Sequence, residues 1–161
     1  MLRIRTISTT DPLYKQECDL RESVLLRAVG LDMATFREKY AGVENSATHF
    51  VAVADHPTGP KVVGTALLIP SDGERAKLMQ MAVDPQRQHE GIGRMLVSTL
   101  ESRAFGEMGV RELYCHAQAS AVGFYEKLGW VAEGERFMEA GIPHLRMALR
   151  GPGPADEQTS Q

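Results

Sequence analysis

Apolar and polar positions alternate from Leu2 to Ile7, with Leu2, Ile4 and Thr6 set against Arg3, Arg5 and Ile7. This period of two predicts a strand of edge-like character. Asp11-Pro12 follows as an N-cap and a first-position proline, and a helix is expected over Leu13–Arg27, closed by Gly30. Its apolar stripe is imperfect, because Leu13, Leu20, Val24 and Leu25 share it with Glu17 and Arg27. A second, short helix is expected from Met33 to Tyr40, capped by Asp32 and closed by Gly42. The runs Thr48–Ala54 and Val62–Ile69 predict strands, and the turn formers between Asp55 and Pro60 join them as a hairpin. Ser71-Asp72-Gly73 turns the chain into a third strand, Ala76–Val83, completing an antiparallel meander.

Ile92, Met95, Leu96, Thr99, Leu100 and Ala104 then recur on one helical face, opposite Arg94, Ser98, Glu101 and Ser102. Gly106 and Gly109 end that helix, and Glu112–Ala117 reads as a strand. With a helix between them, this strand and the one at Met81 are parallel or related by a crossover. A helix over Ala119–Leu128, closed by Gly129, leads to strands at Trp130–Glu139 and His144–Leu149. The order β-α-α-β-β-β-α-β-α-β-β defines an α+β fold: a mixed, mostly antiparallel sheet with flanking helices.

The chain has 161 residues, which suits one domain over residues 1–150. Residues 151–161, GPGPADEQTSQ, hold nothing apolar to bury and are expected to be a disordered tail. A net charge of −3 argues against nucleic acid as a partner. Cys18 and Cys115 stand far apart, without metal-ligand spacing and without the makings of a disulfide framework. No metal is expected, and a reducing cytoplasm is the simplest location. The opening MLRIRTIST lacks the apolar core of a signal peptide, and no apolar run is long enough to span a membrane.

Chemistry concentrates in Met81–Arg94, MAVDPQRQHEGIGR, where a strand stopped by Asp84-Pro85 feeds a glycine-bearing turn into a helix. Unpaired N–H groups and the positive end of the helix dipole make such a turn a site for an anion. A kinase-type phosphate loop needs Gly-Lys-Ser/Thr, but Gly93 is followed by Arg94 and Met95. A dinucleotide turn needs a third glycine where Leu96 stands and an acidic residue where the next strand ends at His116-Ala117. The acetyl-CoA loop pattern, Gln/Arg-x-x-Gly-x-Gly/Ala, fits Gln88-His89-Glu90-Gly91-Ile92-Gly93, although glycines that merely shape an ordinary turn would also produce it.

A second signature separates these alternatives. From Leu2 to Leu149, and most clearly from Leu78 to Gly129, the sequence resembles the GNAT N-acetyltransferase superfamily. Val83-Asp84-Pro85, Gln88-x-x-Gly91-x-Gly93 and Leu96 match its cofactor segment. Ala121-x-x-Phe124-Tyr125-x-x-Leu128-Gly129-Trp130 matches its second motif, which usually ends in Gly-Phe. His116-Ala117-Gln118 and the closing run Phe137-x-Glu139-x-Gly141-Ile142-Pro143-His144-x-x-Met147 resemble its ElaA/YjcF-like branch.

The resemblance implies an acyltransferase fold with a splayed parallel strand pair, and acetyl transfer from acetyl-CoA directly to an amine. It places pantetheine in that gap, against the backbone of Met81, Ala82 and Val83. It places the pyrophosphate on the N–H groups of Gln88, His89, Glu90, Gly91, Ile92, Gly93 and Arg94, with charge from Arg87 and Arg94. Gln118 stands where the family often has a cofactor-bonding asparagine. Tyr125 stands at the family's tyrosine that protonates the leaving thiolate, and the N–H near Met81 is the candidate oxyanion donor. The glutamate many members use as base corresponds to Lys77, so His116, Glu139 and His144 become the candidates, with His144 or Glu139 favoured. The acceptor is expected to be a small-molecule or peptide amine. The alternatives are a protein or N-terminal acetyltransferase and a non-catalytic acyl-CoA sensor. A homodimer is left open.

Overall fold

Strand β1, Leu2–Ile7, pairs antiparallel with β2, Thr48–His56, from Leu2↔Ala54 to Ile7↔His49. In the computed structural model, which describes residues 1–152, the chain forms two compact units. One comprises Met1–Ile69 and Leu78–Leu100; the other comprises Pro70–Lys77 and, among the described residues, 101–152.

In the first unit β2 pairs antiparallel with β3, Gly59–Pro70, and the strand order is β1-β2-β3-β4, where β4 spans Arg75–Val83. Both hairpin strands run further into the predicted loop than composition suggests, leaving only Pro57-Thr58 as the turn. Ile7, Leu13, Val51, Val53 and Val62 form one buried cluster. Cys18, Leu26, Met33 and Phe36 form another, with Met79 packed on it.

The first predicted helix is interrupted. Helix α1 covers Tyr14–Arg21, Glu22–Leu26 widens into a π-turn, and Arg27–Val29 tightens to 3-10 before left-handed Gly30. Asp11 assists its start: its Oδ1 accepts from the Leu13 N–H at 2.9 Å. The π-turn slips the helical phase, so the expected stripe does not describe the buried face. Leu13, Glu17, Cys18, Arg21 and Leu26 are buried, while Arg27 is exposed. Helix α2, Met33–Lys39, opens on a reciprocal cap between Asp32 and Thr35, and a short α3, Val43–Ser46, follows left-handed Gly42.

Helix α4, Ile92–Glu107, follows β4. Ile92, Leu96, Val97, Leu100 and Ala104 are its buried residues. Met95, expected inside, is 37% exposed, and Val97 takes the inward position instead. Gly106 lies within the helix rather than at its end. A Cβ on Gly64 of β3 would come within 2.8 Å of Ile92 Cγ2 and 3.0 Å of Leu96 Cδ1, so this glycine lets α4 seat closely on the sheet.

In the second unit the start of β4 pairs with β5, Glu112–Gln118, and the order continues β5-β7-β6. The β4–β5 ladder is parallel, as the intervening helix requires, and covers Arg75↔Glu112, Ala76↔Leu113 and Lys77↔Tyr114. β7, Ile142–Arg150, lies antiparallel between β5 and β6, Val131–Glu139. Helix α5, Val122–Lys127, is preceded by a 3-10 turn at Ala119–Ala121 and closed by left-handed Gly129. Gly134 carries a bulge: its φ is +75°, and the β6–β7 register shifts between Glu133 and Phe137. The predicted tail at 151–161 lies, beyond Pro152, outside the described residues. No helix among the described residues is long and apolar enough to cross a membrane.

Candidate active site

The loop after β4 is shaped by its own backbone. Asp84 donates its N–H to the Val63 carbonyl at 2.9 Å, and its Oδ1 accepts from the Gln86 N–H at 2.9 Å. Pro85–Arg87 forms a 3-10 turn. His89 (φ +70°) and Gly91 (φ +80°) then take left-handed backbone that folds the chain into α4. The first helical bond runs from the Met95 N–H to the Gly91 carbonyl at 3.0 Å. The N–H groups of Ile92, Gly93 and Arg94 precede it, at the positive end of a 16-residue helix. Of the basic residues near the loop, Arg87 is engaged locally, its Nε lying 3.1 Å from both carboxylate oxygens of Glu90. Its charge is thereby largely offset, while Arg94 is exposed beside the helix start.

Tyr125, on α5, is buried against Phe124 and Trp130, with ring centroids 5.1 and 5.3 Å away. The Trp130 N–H bonds the Tyr125 carbonyl at 3.1 Å, and the indole donates to Glu101 Oε2 at 3.0 Å, which fixes the end of α5. The Tyr125 hydroxyl lies beside the Cys115 thiol. Burial, reinforced by Cys115, pushes the phenol well above its usual value, so it keeps its proton. Burial likewise pushes the Cys115 thiol up to about 12. A thiol so raised is a poor nucleophile at neutral pH, which argues against an acetyl-cysteine intermediate.

The three base candidates meet. Glu139, near the end of β6, places Oε1 3.0 Å from His116 Nδ1 on β5 and Oε2 3.6 Å from His144 Nε2 on β7. Phe137 packs between the two rings, edge-on to His116 at 5.1 Å and stacked on His144 at 5.9 Å. The Nδ1–H of His144 donates to the Ile142 carbonyl at 2.7 Å, so Nε2 is the nitrogen left to take up a proton. Lys77 also reaches this group, with Nζ 3.4 Å from His116 Nδ1. That nitrogen cannot both accept from Lys77 and donate to Glu139; the 3.0 Å contact with the carboxylate is the tighter. Lys77 thus adds a cation beside His116. Gln118 is exposed at the end of β5, opposite His144 across the ladder.

Along β5 burial alternates: Leu113, Cys115 and Ala117 are buried, while Tyr114 and His116 are partly open. Successive strand residues face opposite sides. Tyr125, against Cys115, and the Glu139–histidine group, at His116, therefore flank β5 from its two faces.

Sequence reasoning missed one group in the first unit. Arg21 is fully buried and donates to Glu17 Oε2 at 2.9 Å, to both oxygens of Glu44 at 2.7 and 2.8 Å, and through Nε to Gln80 Oε1 at 3.1 Å. His49 completes it, with Nδ1 2.8 Å from Glu17 Oε2 and Nε2 2.8 Å from the Glu44 carbonyl. Both partners can only accept, so both ring nitrogens donate and His49 is an imidazolium. Burial alone would lower its pKa, but the Glu17 carboxylate outweighs this and the net shift is upward. Glu17, Glu44 and His49 also present ligand atoms within 4.8 Å of one another, but Arg21 and the imidazolium already balance the two carboxylates. The sequence signal was the pair Glu17 and Arg21, four residues apart on a face shared with Leu13 and Cys18.

The fold and these residues define the class. Residues 25–150 match the acetyltransferase (GNAT) domain family. The chain is 30% identical over 142 residues to the uncharacterized N-acetyltransferase YjcF of Bacillus subtilis, covering 88% of this chain and 95% of YjcF. Among solved structures it resembles Escherichia coli ElaA, with a TM-score of 0.75 and 19% identity over 92% of this chain and 99% of ElaA. It also resembles an aminoglycoside 6'-N-acetyltransferase complexed with coenzyme A, with a TM-score of 0.77 and 20% identity over 94% and 99% of the two chains. The chain belongs to the GNAT acetyltransferase family, with relatives in its ElaA/YjcF-like branch, and is an acyltransferase.

Proposed function

We propose that the protein transfers an acetyl group from acetyl-CoA directly to a primary amine of a small molecule or peptide. The observation that supports this most is the pairing about β5 of a phenol that is protonated at neutral pH, Tyr125, with the Glu139-bridged histidines on the opposite face. Amide formation from a thioester needs one group that takes a proton from the amine and another that gives hydrogen to the sulfur.

A primary amine arrives as an ammonium ion, and Glu139, about half exposed, draws it in. The nitrogen gives one proton to His144 Nε2, directly or through water, and attacks the thioester carbonyl. Glu139 stabilises the imidazolium that forms. The carbonyl oxygen becomes an oxyanion bound by the Met81 N–H, and its collapse breaks the C–S bond. Tyr125 gives its proton to the departing sulfur and recovers one, through solvent, from the nitrogen, which sheds its second proton to become the amide. A phenol raised this far is a weaker acid than a thiol in water. The surroundings that hold Cys115 at about 12, however, would also raise a CoA thiolate desolvated beside it, which narrows the mismatch. The donor's pyrophosphate rests on the N–H groups from Gln88 to Arg94. Main-chain groups of Met81, Ala82 and Val83 pair with its pantetheine arm, and Gln118 adds a hydrogen bond to the cofactor.

A panel of small amines, polyamines and short peptides, scored by release of free CoA thiol from acetyl-CoA, tests the reading. Thiol release that depends on at least one amine, with the N-acetyl product identified by mass, is expected. Binding of acetyl-CoA without amine-dependent release from any member would contradict it.

A further inference from the structure

The buried charge group in the first unit touches β4 at its one irregular residue. Gln80 has φ +54°, left-handed backbone that a non-glycine residue rarely adopts inside a strand. The irregularity shows in packing as well. Met79 lies against the cluster of Cys18, Leu26, Met33 and Phe36 built by α1 and α2 and the turn between them, and Gln80 bonds Arg21 on α1. Adjacent residues of a regular strand cannot both face one layer, so the alternation breaks between them. The residue that follows is Met81, whose N–H is the proposed oxyanion donor.

We propose that Arg21 is a positioning residue for acetyl transfer: its guanidinium grips the Gln80 side chain, holds the β4 irregularity, and thereby aims the Met81 N–H. This deepens the proposed function and rests on its oxyanion assignment. The tether is stiff because Arg21 has little freedom. Glu44 holds both terminal nitrogens, Glu17 holds one of them, and the Phe36 ring lies 5.1 Å from the guanidinium carbon. Nε is thereby fixed toward Gln80, whose Oε1 is its acceptor at 3.1 Å. A strand kink held only by its own backbone would relax toward the extended form, because left-handed backbone is costly for a non-glycine residue. A charge-assisted bond from a buried arginine offsets that cost. Nothing else in the arrangement requires a glutamine at position 80, since Glu17 and Glu44 already neutralise Arg21.

Two variants separate the tether from the fold. Gln80→Met keeps the length and volume of the side chain but removes the acceptor. Gln80→Asn tolerates left-handed backbone but is one methylene too short to reach Arg21. Both are expected to lower kcat by about 10- to 100-fold. The Kd for CoA, which lacks the thioester carbonyl, should stay within about twofold of the unaltered protein. Amide hydrogen exchange at Met81 should quicken in both, with that at Ala82 unchanged. Unaltered kcat together with unaltered exchange at Met81 would overturn the proposal. Exchange that quickens while kcat holds would keep the tether and remove the Met81 N–H from catalysis. If the unaltered protein turns over no amine, the proposed function fails, and the exchange measurement still decides the tether.

Discussion

Tyr125 shows how burial sets a side chain's role. A phenol on an exposed helix would titrate at ordinary alkaline pH, whereas this one keeps its proton because an apolar shell of Phe124 and Trp130 disfavours the phenolate. Tyr125→Phe should lower kcat by about 10- to 1,000-fold while leaving CoA affinity within about twofold. Steady-state kinetics beside a CoA titration would show this, and equal kcat across the pH range would remove Tyr125 from the mechanism. Glu139→Gln keeps the shape but loses the charge that pairs with both histidines. It should lower kcat/KM for cationic amines by roughly 100-fold, with little change in CoA binding. His49 acts on stability instead. Its folded-state pKa is raised above that of the unfolded chain, so its contribution is complete below the unfolded value and is lost as pH climbs through the folded one. Melting temperature should therefore decline as pH rises from about 6.5, and the decline should be weaker in His49→Gln. A decline of equal size in both proteins would contradict that assignment.

Elements follow the sequence where periodicity alone decides them. β1, the β2–β3 hairpin, α4 and the β5-α5-β6-β7 order all rest on alternation, helical spacing and turn residues, and each is present. Departures arise where the backbone leaves regular geometry without a local marker. The π-turn at Glu22–Leu26 contains neither proline nor glycine, so its phase slip, which leaves Leu26 buried and Arg27 exposed, was invisible to a fixed helical period. Gln80 likewise sits in a strand pattern, and only its contact with Arg21, 59 residues away, distinguishes it. At Gly134, by contrast, a glycine marks the bulge. Gly64 seats α4 on the sheet. Gly64→Val would press on Ile92 and Leu96, destabilise the protein by about 1–3 kcal/mol and weaken CoA binding. Denaturant unfolding and a CoA titration would test this, and an unchanged midpoint would show that α4 does not depend on the close seat. At Gly91 a Cβ meets nothing within 4 Å, so Gly91→Glu acts through its left-handed φ and its negative charge beside the phosphate site. It should abolish the rise in melting temperature that acetyl-CoA gives the unaltered protein; an undiminished rise would refute the loop assignment.

For the molecule as a whole, the candidate site was legible in kind but not in arrangement. Motif spacing pointed to the cofactor loop and Tyr125, and the closing run pointed to Glu139 and His144. That Glu139 lies between His116 and His144 depends on the β5–β7 and β6–β7 registers and on a bulge, none of which a linear pattern specifies. The acceptor's identity was not legible, because no motif in the sequence marks the residues that would bind it. The central claim is direct transfer, with no acetyl group resting on the protein. A single-turnover experiment with stoichiometric acetyl-CoA tests it most directly, following free thiol and the mass of the intact protein with and without an amine substrate. Thiol that appears only when the amine is present, with the protein mass unchanged throughout, is the predicted result. A burst of thiol without amine, matched by an acetyl group on the protein, would contradict it.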